Sequence, residues 1–200
     1  MNNIEWIGQL DTVLFDLDNT IYDEKIYLQA AYWAIAQHIH LEYDHEPILV
    51  YQFLIRTLEQ EGRTGLLDKL CENIGLPNSE IQLLLNLLRT VDIQPLIEPF
   101  EYFIPLIRNL LNAQIQVAVI TNGNTIQQTN KIKSINWQGL DATLIFILAN
   151  ASAPKPNTAS FSALKKQINL KEAIYIGDSA SDVEFAQNCK IKFLHVNHFL

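Results

Sequence analysis

Five short, nearly continuous apolar runs, 13–17, 115–120, 142–148, 173–176 and 192–196, most restrict what this chain can fold into. Runs of that length fit strands buried on both faces, as in a parallel sheet. After the first run the chain carries amphipathic segments of helical length, 101–113, 125–135, 159–168 and 181–188, alternating with the remaining runs. Strand and helix in alternation imply an open α/β sheet covered on both sides. The alternation breaks once. Between the first and second runs, segments 25–41, 47–61, 65–74 and 79–91 repeat apolar residues every three or four positions, which predicts four packed helices. Pro47 stands where a first helical turn accepts proline, Gly75 stands as a C-terminal stop, and Ser79 with Gln82 reads as a capping box. The expected architecture is a Rossmann-like α/β core, 1–22 and 96–200, interrupted by an all-helical insert, 23–95.

Composition agrees with a chain that builds its own core. Of 200 residues, 48% are apolar and 18% charged, which excludes disorder. A chain this long buries roughly 70% of its unfolded surface and needs no disulfide. Cys71 and Cys189 form no CxxC or zinc spacing and read as reduced thiols of a cytoplasmic protein. A net charge of −8 argues against a nucleic-acid surface, which needs clustered basic residues. The first ten residues carry no Lys or Arg and no long apolar stretch, so neither an export signal nor a membrane anchor is expected. Monomer and homodimer both stay open.

Ligands of open α/β sheets bind outside the carboxyl ends of the strands, so the residues after each run are the ones to weigh. The first run leads into Asp16-Leu17-Asp18-Asn19-Thr20, the second into Thr121-Asn122-Gly123, and the fourth into Gly177-Asp178-Ser179 with Asp182 beyond. Lys155-Pro156 follows the third. Singly these are ordinary features: loop acids, a turn, a capping box at Ser179 and Asp182, a loop lysine. Together they converge. Asp16 and Asp18 can face one crevice, and Asp178 from another strand end brings a third carboxylate. Crowded carboxylates repel, and a hard divalent cation with oxygen ligands, Mg²⁺, resolves the repulsion. A hydroxyl, turn N–H groups and a lysine beside it are groups that bind phosphoryl oxygens.

With FDLDNT, ITNG, Lys155-Pro156 and IGDSASD in this order, the chain resembles the haloacid dehalogenase-like superfamily of phosphohydrolases, and the helical insert resembles that family's cap. The resemblance implies roles. Asp16 is the expected nucleophile and metal ligand. Asp18 is the expected general acid, then base, with its backbone carbonyl on the metal. Thr121 and Asn122 would hold the phosphoryl group, Lys155 would neutralise charge on it and on Asp16, Asp178 would bind the metal, and Asp182 would act through water or position Lys155. Dehalogenases of the family lack a carboxylate at the Asp18 position, so its presence favours a phosphatase of a small phosphomonoester, a sugar phosphate or a nucleotide or FMN-like ester. A catalytically silent relative and a phosphotransferase or phosphomutase are the alternatives. Two departures stand out: the loop before Lys155, ANASAPKP, lacks the usual acidic residue and glycine, and Lys190 ends the last helix where relatives carry glycine. Tyr22, beside the first motif, is a candidate substrate contact. Tyr27, Tyr32 and Trp33 read mainly as core, and His38, His40 and His45 as a polar helix end.

Overall fold

The computed structural model describes residues 10–149, 152–168 and 170–200. Most of the segment behind the export expectation lies outside that range, as do Asn150 and Ala151 of the loop before Lys155. Five strands, β1 (Thr12–Phe15), β2 (Gln116–Thr121), β3 (Ile145–Leu148), β4 (Ala173–Gly177) and β5 (Lys192–His195), form one sheet in the order β3-β2-β1-β4-β5. All four pairings are parallel. The apolar runs therefore mark the strands, except that 142–148 begins with a 3₁₀ turn, Asp141–Thr143, and only Ile145–Leu148 pairs.

Side chains alternate across a strand, and here each face of the sheet has its own core. Val13 and Phe15 of β1, Val117 and Val119 of β2, and Ile174 and Ile176 of β4 pack on one face with α5 (Phe103–Asn112). Leu14, Ala118, Ile120 and Tyr175 point the other way, onto Phe161 and Leu164 of α7 (Ala159–Lys165) and Phe185 of α8 (Ala180–Cys189). Burial on both faces explains why the strands read as unbroken apolar runs. The remaining core helix, α6 (Thr125–Ser134), follows β2 and is capped by the Asn124 side chain.

The insert holds α1 (Glu24–Tyr43), α2 (Pro47–Glu61), α3 (Leu66–Ile74) and α4 (Glu80–Thr90). Pro47 opens α2, and Gly75 closes α3 in the left-handed conformation at φ 71°. The capping box expected at Ser79 does not form. Ser79 already has helical backbone angles, and the carbonyls of Pro77 and Asn78 take the N–H groups of Glu80 and Ile81 instead. Lys190, φ 58°, is left-handed, at a cost of about 1 kcal/mol relative to glycine. Tyr27 and Tyr32 are core residues, whereas Trp33 is exposed. Both cysteines are free. No helix of the described residues is long and apolar enough to cross a membrane.

Candidate active site

The chain runs from β1 through the insert to β2 and β3 on one side, then continues to β4 and β5 on the other. The carboxyl ends of β1 and β4 therefore meet where the strand order reverses, the position at which such sheets bind ligands. Asp16 leaves β1 there, its N–H donating to the Ile176 carbonyl at 2.9 Å, and Asp178 follows β4. Asp18, Thr121, Asn122, Lys155, Asp178 and Asp182 line one crevice of about 180 Å³ with Asp16. Among the described residues Asn19, Glu24, Arg63, Ser179 and Ser181 complete the lining, all of it polar. A larger groove of about 420 Å³ beside Trp137 carries no comparable convergence of acids and cations.

Lys155 is the electrostatic centre of this site. Its Nζ donates to Asp16 Oδ1 at 2.5 Å, Asp182 Oδ1 at 2.7 Å and the Tyr175 hydroxyl at 2.6 Å. Burial works against its charge, but the Asp16 and Asp182 carboxylates outweigh that and raise its pKa above the ordinary lysine value. The Tyr175 hydroxyl in turn donates a hydrogen bond to the Ile120 carbonyl at 3.1 Å. Burial pushes the Asp16 carboxyl up to about 7, Lys155 pulls the other way, and the charges of Asp182 and Asp18 add to the rise. Burial, then the Asp182 charge, also raises Asp178.

Carboxylate oxygens of Asp16, Asp178 and Asp182 lie within 4.8 Å of one another. Three carboxylates against one ammonium leave two negative charges uncompensated, the charge a divalent cation carries. The donor set is all oxygen, as Mg²⁺ prefers. Asp182 is already engaged on both oxygens: Oδ1 by Lys155, and Oδ2 by the Ser179 hydroxyl at 2.6 Å and the Ser179 N–H at 3.2 Å. Asp16 and Asp178 are thus the residues whose carboxylates are suited to hold a cation. The Ser179–Asp182 capping box expected from S-x-x-D is formed, and its acid also positions Lys155.

Gly177 makes this arrangement possible. A Cβ there would come within 2.7 Å of the Asp182 carboxylate, so only glycine lets β4 pass so close. Gly177→Ala is expected to destabilise the fold by about 1–3 kcal/mol through overpacking and to displace Asp182 from Lys155. Urea denaturation and turnover of the same preparation check both effects.

On the other wall, Asp18 is held by three donors. The Tyr22 hydroxyl reaches Oδ1 at 2.8 Å, while Gln128 Nε2, at 3.1 Å, and Lys131 Nζ, at 2.8 Å, reach Oδ2. Tyr22 is thereby relocated from the expected substrate contact: it is fully buried, turned onto Asp18 and outside the crevice lining. Gln128 also donates to Thr121 Oγ1 at 2.6 Å, and the Thr121 hydroxyl donates in turn to the Asn122 carbonyl at 3.4 Å, a long bond that a ligand oxygen could replace. The Asn122 side chain clamps the backbone of Lys155, accepting from its N–H at 2.8 Å and donating to its carbonyl at 3.1 Å. Sequence reasoning missed Gln128, Lys131, Glu24, Arg63 and Tyr175. Gln128 and Lys131, three apart on α6, were readable only as the polar side of an amphipathic helix.

The family model for haloacid dehalogenase-like hydrolases matches residues 13–196. The chain belongs to that family. Solved structures of haloacid dehalogenase-like proteins share its fold at low identity. A candidate phosphoglycolate phosphatase from Lactobacillus delbrueckii subsp. bulgaricus is 18% identical with a TM-score of 0.58, covering 93% of this chain and 85% of that one. The candidate hydrolase YfnB from Bacillus subtilis, bound to magnesium, is 20% identical with a TM-score of 0.58, covering 92% and 87%. The L-2-haloacid dehalogenase RSc1362 is 15% identical with a TM-score of 0.56, covering 95% and 87%. No curated protein sequence matches significantly. Haloacid dehalogenase-like hydrolases thus include both phosphatases and dehalogenases on this fold, and the distinction has to come from the site.

Proposed function

We propose that this haloacid dehalogenase-like hydrolase is a Mg²⁺-dependent phosphatase of small, polar phosphate monoesters. The observation that carries the reading is the Asp18 carboxylate in the wall of the same crevice as Asp16 and Lys155. An alkoxide leaving group needs a proton at that point, whereas an expelled halide needs none. The polar lining argues the same way, and the lack of an aromatic side chain in it among the described residues favours a small polar ester over a flavin or a base.

The residues support two displacements. Asp16 attacks phosphorus through one carboxylate oxygen, the ester P–O bond breaks, and the departing oxygen takes a proton from Asp18. Water then attacks the aspartyl-phosphate, gives a proton to Asp18, and releases phosphate by cleaving the P–O bond to Asp16. The Thr121 hydroxyl and the Asn122 backbone N–H hold the phosphoryl oxygens, and Lys155 offsets their charge from the Asp16 side. Asp16, Asp178 and the Asp18 backbone carbonyl are the proposed Mg²⁺ ligands, and the bound ion would stabilise charge on the phosphoryl oxygens. Residues 23–95 act as a cap over the core formed by 1–22 and 96–200, excluding water when closed. The two free cysteines fit a cytoplasmic setting.

A panel of glycerol phosphate, phosphoglycolate, sugar phosphates, nucleoside monophosphates, FMN and p-nitrophenyl phosphate, run beside 2-haloacids, tests the reading. Turnover is expected for the small polar esters, with one oxygen of ¹⁸O-labelled water entering the released phosphate. Halide release without phosphate release would overturn it, and phosphoryl transfer that leaves the water label unused would make the protein a transferase. Chelation is expected to abolish turnover and Mg²⁺ to restore it. Asp178→Asn is expected to raise the Mg²⁺ concentration needed by about 10-fold or more, since even indirect partners of a metal site are worth that much.

A further inference from the structure

Lys131 and Glu24 are buried charges that the reaction above leaves unused. Lys131 is 2% exposed and Glu24 3%. Burying such ions costs several kcal/mol each unless they are paired, so a lysine in this place calls for a reason. Its Nζ bonds Glu24 Oε1 at 2.6 Å and Asp18 Oδ2 at 2.8 Å. Glu24 Oε2 in turn takes the Arg63 guanidinium. With Asp18 ionised, as it is after giving up its proton, two acids and two bases balance, and Lys131 offers Asp18 a directed N–H.

Three donors grip Asp18, but they are not equivalent. Tyr22 lies four residues along the same loop and moves with it, and Gln128 is shared with Thr121. Lys131 alone among them ties Asp18 to the helical insert, because Glu24 begins α1 while Lys131 sits on α6. Lys131 is buried behind Asp18 and Glu24 and is outside the crevice lining. We propose that Lys131 is a positioning residue: anchored by Glu24, it holds the Asp18 carboxyl group where the departing ester oxygen can take its proton. The proposal rests on Asp18 being the proton donor. In that step Asp16 forms its bond to phosphorus, the ester P–O bond breaks, and the Asp18 proton goes to the leaving oxygen.

Leaving-group dependence separates this role from a structural one. In a double displacement kcat/KM reports the first transfer, so it is compared for glycerol 2-phosphate, whose alkoxide must be protonated, and p-nitrophenyl phosphate, whose phenolate leaves unaided. With Mg²⁺ present, Lys131→Met is expected to lower kcat/KM for the alkyl ester by about 10- to 100-fold, the scale of a misplaced catalytic group, and for the aryl ester by less than about 3-fold. Lys131→Arg is expected to restore part of the alkyl activity. Equal losses on both esters, or none on either, overturn the proposal. Should Lys131→Met not fold by circular dichroism, Glu24→Gln, which keeps the volume, is expected to shift the same ratio by about 3- to 10-fold; an unchanged ratio there overturns it as well. Asp18→Asn is the control. If its own ratio stays unchanged, Asp18 is not the donor and the phosphatase mechanism fails; if only the Lys131 and Glu24 ratios stay unchanged, the positioning role alone fails.

Discussion

Asp16→Asn is expected to lower kcat for a small phosphate ester by at least about 10⁴-fold while the protein stays folded. Losses of this order accompany removal of a covalent nucleophile, because the remaining groups still bind but have nothing to receive the phosphoryl group. The amide keeps the volume and still accepts from Lys155, whose Nζ lies 2.5 Å from Asp16 Oδ1, so the buried pair is weakened rather than opened. What disappears is the carboxylate nucleophile on the crevice wall. A residual rate within about 10-fold of the parent would remove Asp16 from the reaction. The same variant has a second, independent readout. In metal-free protein the Asp16 pKa lies near 7, above its ordinary 3.8, so between these values the folded state holds a proton that the unfolded chain has released. The contribution of this group to stability therefore declines as pH rises from about 4 to about 7. Urea midpoints at pH 5 and pH 8 are expected to show that decline in the parent and to lose most of it in Asp16→Asn.

The strands were legible because burial on both sheet faces leaves a continuous apolar signature, and the insert because its helices carry a clear period. The four strand-end motifs were legible for a different reason: parallel strands all deliver their carboxyl ends to one edge, so residues far apart in sequence can be assigned to one crevice before any contact is known. Tertiary choice within local patterns was less legible. Ser79-x-x-Gln82 and Ser179-x-x-Asp182 have the same form, yet only the second caps its helix, because the carbonyls of Pro77 and Asn78 accept from the first N–H groups of α4. Tyr175 sits inside an apolar run, where its ring fits the core and gives no hint of the hydroxyl beneath Lys155. Glu24, Arg63 and Lys131 come from the first turn of α1, the turn before α3 and α6, and nothing in a linear pattern pairs three charges so far apart.

Lys155→Met tests how the site and the fold depend on each other. The lysine is buried between Asp16 and Asp182 and pairs with both carboxylates. Removing one partner of a buried ion pair leaves an uncompensated charge, which costs about 3–5 kcal/mol, more than most core truncations of similar size. The loss is expected to depend on pH. In the parent, the raised Lys155 pKa means its stabilising contribution is complete below the ordinary lysine value of 10.5 and lost only as pH rises through the folded value, so it is fully present at pH 8. In the variant, Asp16 loses the neighbour that pulled its pKa down and holds its proton to still higher pH. A group whose folded pKa is raised destabilises progressively as pH rises towards that value, so the deficit of Lys155→Met should be larger at pH 8 than at pH 5. Adding Asp16→Asn removes one orphaned charge and is expected to recover part of the stability without any turnover, a non-additivity that residues in direct contact show. A single-variant loss below about 1 kcal/mol at pH 8, or strict additivity in the double variant, would mean that Lys155 is not the counter-ion that lets three carboxylates share this strand end.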